Sequence, residues 1–137
     1  RAGIRVVPAA RYATMYAHIL VGTDGSATAE RAVDRAVQVA GVTGAALAVL
    51  GVGPERQVGP IVERSASTHD GSGVEITTIT EQGDPASVIL DVAESGNYDL
   101  LVVGNRGMTG ATRLFLGSVP NKVSHHTPCH LLIVHTT

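Results

Sequence analysis

Leu100-Leu101-Val102-Val103 is apolar at every position and runs straight into Gly104-Asn105-Arg106-Gly107. A strand can be apolar on both faces only where both faces are covered, which is the condition of a parallel sheet packed between helices. The glycines that follow let backbone N–H groups approach an anion closely. A helix start comes next at Gly117-Ser118, with nine residues between Gly107 and Gly117. Its positive end and unpaired N–H groups would face the same place. Ser118 adds a hydroxyl donor, and Arg106 or Arg113 can supply countercharge. Together these point to a nucleotide site. The other reading is a surface loop that is merely glycine-rich, in a chain with 16 glycines among 137 residues. Position favours the site, because ligands of open α/β sheets sit outside the carboxyl ends of parallel strands.

The rest of the chain supplies the other strands and their crossovers. Ile19-Leu20-Val21 reads as a short buried strand ended by Gly22, and Thr23-Asp24-Gly25-Ser26 as a turn with Ser26 as N-cap. Ala29, Ala32, Val33, Ala36, Val37 and Ala40 recur at helical spacing, with Glu30, Arg31, Asp34, Arg35 and Gln38 on the outer face. Gly41 and Gly44 end that helix, and Ala45 to Val52 forms a second apolar strand. Gly53, Pro54, Gly59 and Pro60 break the next segment, leaving two helical turns over Ile61 to His69. A third strand is expected at Val74 to Thr80. Asp84-Pro85 starts a helix with N-cap and N1 residues in order, and Gly96 ends it. Strand four covers Asp99 to Val103, a last helix Ser118 to His126 with Pro120 in its first turn, and strand five Leu131 to Val134. Right-handed crossovers turn this βαβαβαβαβ alternation into a doubly wound α/β fold. It has a five-stranded parallel sheet in the order 3-2-1-4-5 and helices on both faces. The gap between strands one and four is then the switch point, flanked by Thr23-Asp24 and by the glycine loop.

Composition removes several classes. Hydrophobic residues make up 44% of the chain and charged residues 16%, enough for one domain with a true core. Three Tyr, one Phe and no Trp offer no stacking platform for single-stranded nucleic acid. A formal net charge of −2 leaves no basic footprint for a duplex. No apolar run approaches the length of a membrane span. The single Cys129 excludes an intrachain disulfide and fits a reducing cytoplasm. Residues 1–14 carry three Arg and no acidic residue, and lack the apolar stretch of a secretory signal. They are read as an extension the fold does not need, with the domain spanning 15–137.

From Met15 onward the chain resembles the universal stress protein family. The resemblance rests on Ile19 through Ser26, Gly83-Asp84-Pro85, Tyr98 through Gly104, Gly107, Leu116-Gly117-Ser118-Val119 and Leu131 through Val134. Gly-two-Gly-nine-Gly-Ser marks the branch of that family that binds ATP. The resemblance implies that Asp24, after Gly22-Thr23, faces the adenosine near its ribose or adenine. It implies that Val52 meets the adenine edge through its backbone, and that Val103, Gly104 and Gly107 line the ribose and first phosphate. Gly117, Ser118 and Val119 would hold the remaining phosphates, with Mg2+ present only alongside bound ATP. It also implies a homodimer paired through residues 130–135, which would cover an apolar edge strand.

Two departures from the family pattern stand out. Pro120 occupies a position where relatives often carry a hydroxyl, and it offers neither hydroxyl nor N–H. A ligand with fewer phosphates, cyclic AMP or AMP, gains ground accordingly. The segment between strands two and three reads as short where relatives often place a longer helix, which would leave the adenine side open.

His125, His126, Cys129 and His130 look like a metal cluster. Adjacent helical residues diverge by about 100°, however, and adjacent strand residues face opposite ways. They are read as a solvated helix end and a packing cysteine. No Gly-x-x-x-x-Gly-Lys-Ser/Thr, Gly-x-Ser-x-Gly or His-Glu-x-x-His pattern is present. The leading expectation is therefore a non-enzymatic cytoplasmic adenine-nucleotide sensor. The alternatives are a weak ATPase on the same fold and a ligand-free interaction module.

Overall fold

The computed structural model describes residues 13–105 and 118–135. Strands β1 (His18–Gly22), β2 (Ala46–Val52), β3 (Ile76–Glu81), β4 (Leu100–Gly104) and β5 (His130–Val134) form one parallel sheet. Their order is β3-β2-β1-β4-β5, as the alternation predicts. The helices between them are α1 (Ala27–Thr43), α2 (Glu55–Ser67), α3 (Pro85–Ser95) and α4 (Ser118–His126). Glycine loop residues 106–117, with Arg106, Gly107, Arg113 and Gly117, lie outside the described residues, as does most of the 1–14 extension.

Strand alternation divides the interior into two cores. Ile19, Val21, Leu47, Val49, Leu100 and Val102 project to one face and meet Ala32, Val33, Ala36 and Val37 of α1 and Val62 of α2. Leu20, Ala48, Leu50, Leu101 and Val103 project to the other face. There they meet Ala86, Ile89 and Ala93 of α3 and Val119 and Val123 of α4. The alanines along α1 bring its axis close to the central strands. Of these, Ala32, Ala36 and Ala40 are fully or almost fully buried.

Helix α1 starts where expected. Ser26 Oγ accepts from the N–H of Ala29 at 3.2 Å. It runs through Gly41 and ends at Gly44, whose N–H bonds back to the carbonyl of Ala40. Two residues thus separate it from β2, and Gly41 does not stop it.

The larger departure is α2, which is 13 residues long and begins at Glu55, with Pro60 inside it. The apparent breakers delimit and interrupt this helix without preventing it. Pro54 precedes it, and its carbonyl takes the N–H groups of Gln57 and Val58 at 2.9 and 3.0 Å. Val58, Val62 and Ser65 form its buried stripe. A proline inside a helix costs about 3 kcal/mol, and full burial of two valines returns roughly that or more. Gly51 on β2 permits the packing. A Cβ there would stand 2.9 Å from Val62 Cγ1 and 3.1 Å from Val58 Cβ. The segment between β2 and β3 is therefore a full helix and not the short one expected.

At the amino end of the sheet, Asp99 fastens two central strands together. Its Oδ2 and Oδ1 accept from the N–H groups of Ala17 and His18 at 2.9 and 3.1 Å. The N–H of Asp99 itself donates to His18 O at 2.9 Å. Asp99 thus precedes β4 as a clamp instead of opening it.

Candidate functional site

The carboxyl ends of β1 and β4 lie side by side. Val21 is in register with Val102, so Asp24 and Asn105 each follow three residues later. The chain leaves β1 for α1 on one face, whereas α4 packs on the opposite face. A crevice at such a reversal is the place where this kind of sheet takes ligands.

Gly22 ends β1 and is buried. Thr23 is also completely buried, and its N–H donates to Leu50 O at 2.9 Å. Its hydroxyl donates to Glu30 Oε2 at 2.6 Å while accepting the N–H of Gly25 at 3.0 Å. Thr23 is therefore committed to holding the turn. Asp24 is half-buried, and its Oδ1 accepts the N–H of Ser26 at 2.9 Å. Its other carboxylate oxygen has no partner among the described residues. Gly25 adopts φ +83°, and a Cβ there would stand 2.9 Å from Ile61 Cγ2 of α2. A left-handed residue pressed against a helix is where only glycine fits.

Val52 is half-buried beside the α3/α4 core, at the end of β2. The N–H of Gly53, immediately after it, donates to Glu81 O at 2.8 Å. A hollow of about 330 Å3 lies at this same edge of the sheet, lined by Gly53, Glu55, Thr80, Glu81 and Gln82. Val103 is buried and Gly104 half-buried at the end of β4. The N–H of Asn105 donates to Val134 O at 2.9 Å. Ser118 opens α4, Val119 is buried beneath it, and Pro120 is buried in its first turn. Arg106, Gly107 and Gly117 fall outside the described residues. The structure thus gathers Gly22, Thr23, Asp24, Val103 and Gly104 at two adjacent strand ends. Val52 stands one strand further along.

Glu30 is the residue that sequence reasoning misplaced. Helical periodicity assigned it to the solvent face of α1, but the carboxylate turns inward. Besides Thr23, it accepts from Ser65 Oγ of α2, at 2.9 Å to Oε1 and 3.1 Å to Oε2. The signal was its place in the first turn of α1, where a carboxylate is favoured and can reach back to the preceding loop. Asp34 stays on the outside, paired with His69 Nε2 at 2.9 Å.

The histidine group does not converge. His125 and His126 are exposed at the end of α4. His130 is also exposed, and its Nδ1 lies 3.1 Å from the Tyr16 hydroxyl. Cys129 packs against the α3/α4 core. Burial pushes its thiol pKa upward, and the Asp99 carboxylate adds to that shift, while the Thr127 hydroxyl opposes it.

The profile of the universal stress protein family matches this chain over residues 15–71 and 61–135. The chain belongs to the universal stress protein family. It is 32% identical to a universal stress protein of Mycobacterium tuberculosis, over 89% of this chain and 98% of that protein. It is 33% identical to the universal stress protein YxiE of Bacillus subtilis, over 88% of this chain and 99% of that one. A universal stress protein crystallised in complex with cAMP superposes with a TM-score of 0.78 at 37% identity, covering 89% of this chain and 98% of its own. The five-stranded parallel order is thus shared with solved universal stress proteins.

Proposed function

We propose that this universal stress protein is an adenine-nucleotide-binding signalling protein, with its ligand at the carboxyl ends of β1 and β4. The observation that carries the reading is the adjacency of those strand ends with helices leaving to opposite faces. A universal stress protein with the same fold and 37% identity holding cAMP supports the ligand class. In this reading the unpartnered oxygen of Asp24 meets the nucleoside, and the backbone near Val52 meets the adenine edge. Val103, Gly104 and Gly107 line the ribose and first phosphate. Arg106, Gly117, Ser118 and Val119 serve the phosphates.

Pro120 favours a short phosphate chain. It sits in the first turn of α4, where N–H groups point out of the helix toward a bound anion, and it removes one of them. Cyclic AMP is accordingly preferred to ATP, and Mg2+ accompanies only ATP. Among the described residues, Asp24 is the acidic side chain assigned to the crevice. Its position on the nucleoside side suits recognition better than hydrolysis, so binding is the function and turnover is not. The protein works in the cytoplasm as a homodimer joined through residues 130–135. No helix among the described residues is long and apolar enough to cross a membrane.

Calorimetric titration of the full chain with cAMP, ATP, ADP and GTP tests the reading. The expected order places cAMP at or above ATP, with GTP far weaker, because a site built on buried polar groups rejects a mismatched edge. Asp24→Ala should weaken all adenine nucleotides by a similar factor. Equal binding of GTP and ATP, or no binding at all, would overturn it.

A further inference from the structure

We infer that Glu30 is a positioning residue for the crevice, holding the Asp24 turn in its ligand-ready shape through Thr23 and fastening that turn to α2. The inference rests on the adenine-nucleotide reading for its ligand, but its geometry is independent of that reading. One carboxylate receives the hydroxyl of Thr23 at 2.6 Å and the hydroxyl of Ser65 at 2.9 and 3.1 Å. Thr23 is fully buried and Ser65 almost so, which removes water as a competing partner for either hydroxyl. An ionised carboxylate only accepts, so both hydroxyl protons are directed at it. With its proton committed there, Thr23 Oγ1 presents a lone pair to the N–H of Gly25 at 3.0 Å. That bond closes the turn that contains Asp24, and the Ser26 N–H to Asp24 Oδ1 bond sets the aim of the carboxylate within it.

Glutamine in place of Glu30 keeps the volume and breaks this logic. Its oxygen can take one hydroxyl, but its NH2 then faces the other hydroxyl as a second donor. The hydroxyl that faces the NH2 must turn its proton away, and the one that faces the oxygen loses its charged acceptor, so Thr23 is held less firmly in either orientation. Glu30→Gln should therefore loosen residues 24–26 and weaken ligand binding through Asp24, without emptying the core.

Amide exchange by NMR on the full chain reads the first effect directly. In Glu30→Gln the Gly25 and Ser26 amides should exchange roughly tenfold faster, as for loss of a hydrogen bond to a charged group. The Leu47 amide, bonded to Glu75 O at 2.9 Å in the sheet, should be unchanged. Ser65→Ala removes one donor and leaves Thr23 in place. It should give a smaller increase at Gly25, and it serves if Glu30→Gln folds poorly. Calorimetry with cAMP reads the second effect. Glu30→Gln should cost roughly tenfold in affinity, and should cost nothing further in an Asp24→Ala background. Parental exchange at Gly25 in Glu30→Gln, or an equal affinity loss with and without Asp24, would overturn the inference. Faster exchange at Gly25 in a protein whose parent binds no adenine nucleotide would uphold the hold on the turn and overturn only the ligand.

Discussion

Asp84 shows how much one exposed side chain can do at a helix start. Its Oδ2 accepts the N–H of Ser87 at 3.1 Å and the Ser87 hydroxyl at 2.9 Å. Lys122 of α4 lies 3.6 Å from it and donates to Ser87 Oγ at 3.1 Å, so the cap of α3 also ties α3 to α4. The Ser87 backbone N–H, then its hydroxyl and Lys122, hold the Asp84 carboxyl below its ordinary value of 3.8. A carboxyl pKa depressed by folding gives stability that is present above the unfolded value and lost as pH falls through the folded one. Asp84→Asn keeps an N-cap acceptor and removes the titration. Urea denaturation should show nearly parental stability at pH 7 and a shallower loss of stability in acid, below about pH 4. An unchanged acid limb would mean that the charge on this cap does not contribute to folding.

At the scale of elements, α2 carries the clearest consequence. Pro60 is exposed on its outer side and denies Arg56 O the N–H that a helix would give it. Pro60→Ala regains about 3 kcal/mol of helix propensity and gives back up to about 1 kcal/mol through a freer unfolded chain. The net gain should be about 2 kcal/mol, read as a raised urea midpoint with an unchanged slope. Gly59→Ala belongs with it. A Cβ there would meet only Glu55 Cγ at 3.6 Å, an ordinary contact, so about 0.5–1 kcal/mol should follow. A drop in stability for either variant would show that this stretch is not helical in solution.

The same helix marks the limit of what the sequence made legible. Strands β1, β2, β4 and β5 were readable to within a residue or two, because short apolar runs between turn residues have few other uses. The sheet order followed from their alternation with helices. Helix α2 was half missed because Pro and Gly are local penalties, and the packing of Val58 and Val62 that outweighs them is nonlocal. Glu30 was assigned outward for a related reason. A 3.6-residue period tells which face a side chain leaves from, but a long carboxylate in the first turn can bend back beneath the loop. The strand ends of the candidate site were legible as positions, and the hydrogen bonds that fix their turn were not.

For the molecule as a whole, β5 is an edge strand whose Leu131, Leu132, Ile133 and Val134 are only half-buried. Such an edge invites a second strand. In the homodimer proposed above, Ile133→Lys should convert a dimer at micromolar concentration into a monomer with a native circular dichroism spectrum. Sedimentation reads the outcome, and a folded variant that remains dimeric would exclude this edge.

Among the described residues the sheet separates two interiors that share no buried side chain, Ile19 lying on one face and Ile89 on the other. Mutational effects should therefore be additive across it. Ile19→Val and Ile89→Val should each cost about 1 kcal/mol, and the double variant should match their sum to within about 0.5 kcal/mol. Ile19→Val paired with Val33→Ala, on the same face, should deviate from additivity, because those side chains belong to one packed cluster. A chain built this way can absorb change in two separate compartments. Substitutions gathering beneath α1 and α2 leave the packing choices of the α3/α4 side unchanged, so the two halves of the interior can drift in sequence separately as long as their summed cost stays within one stability margin.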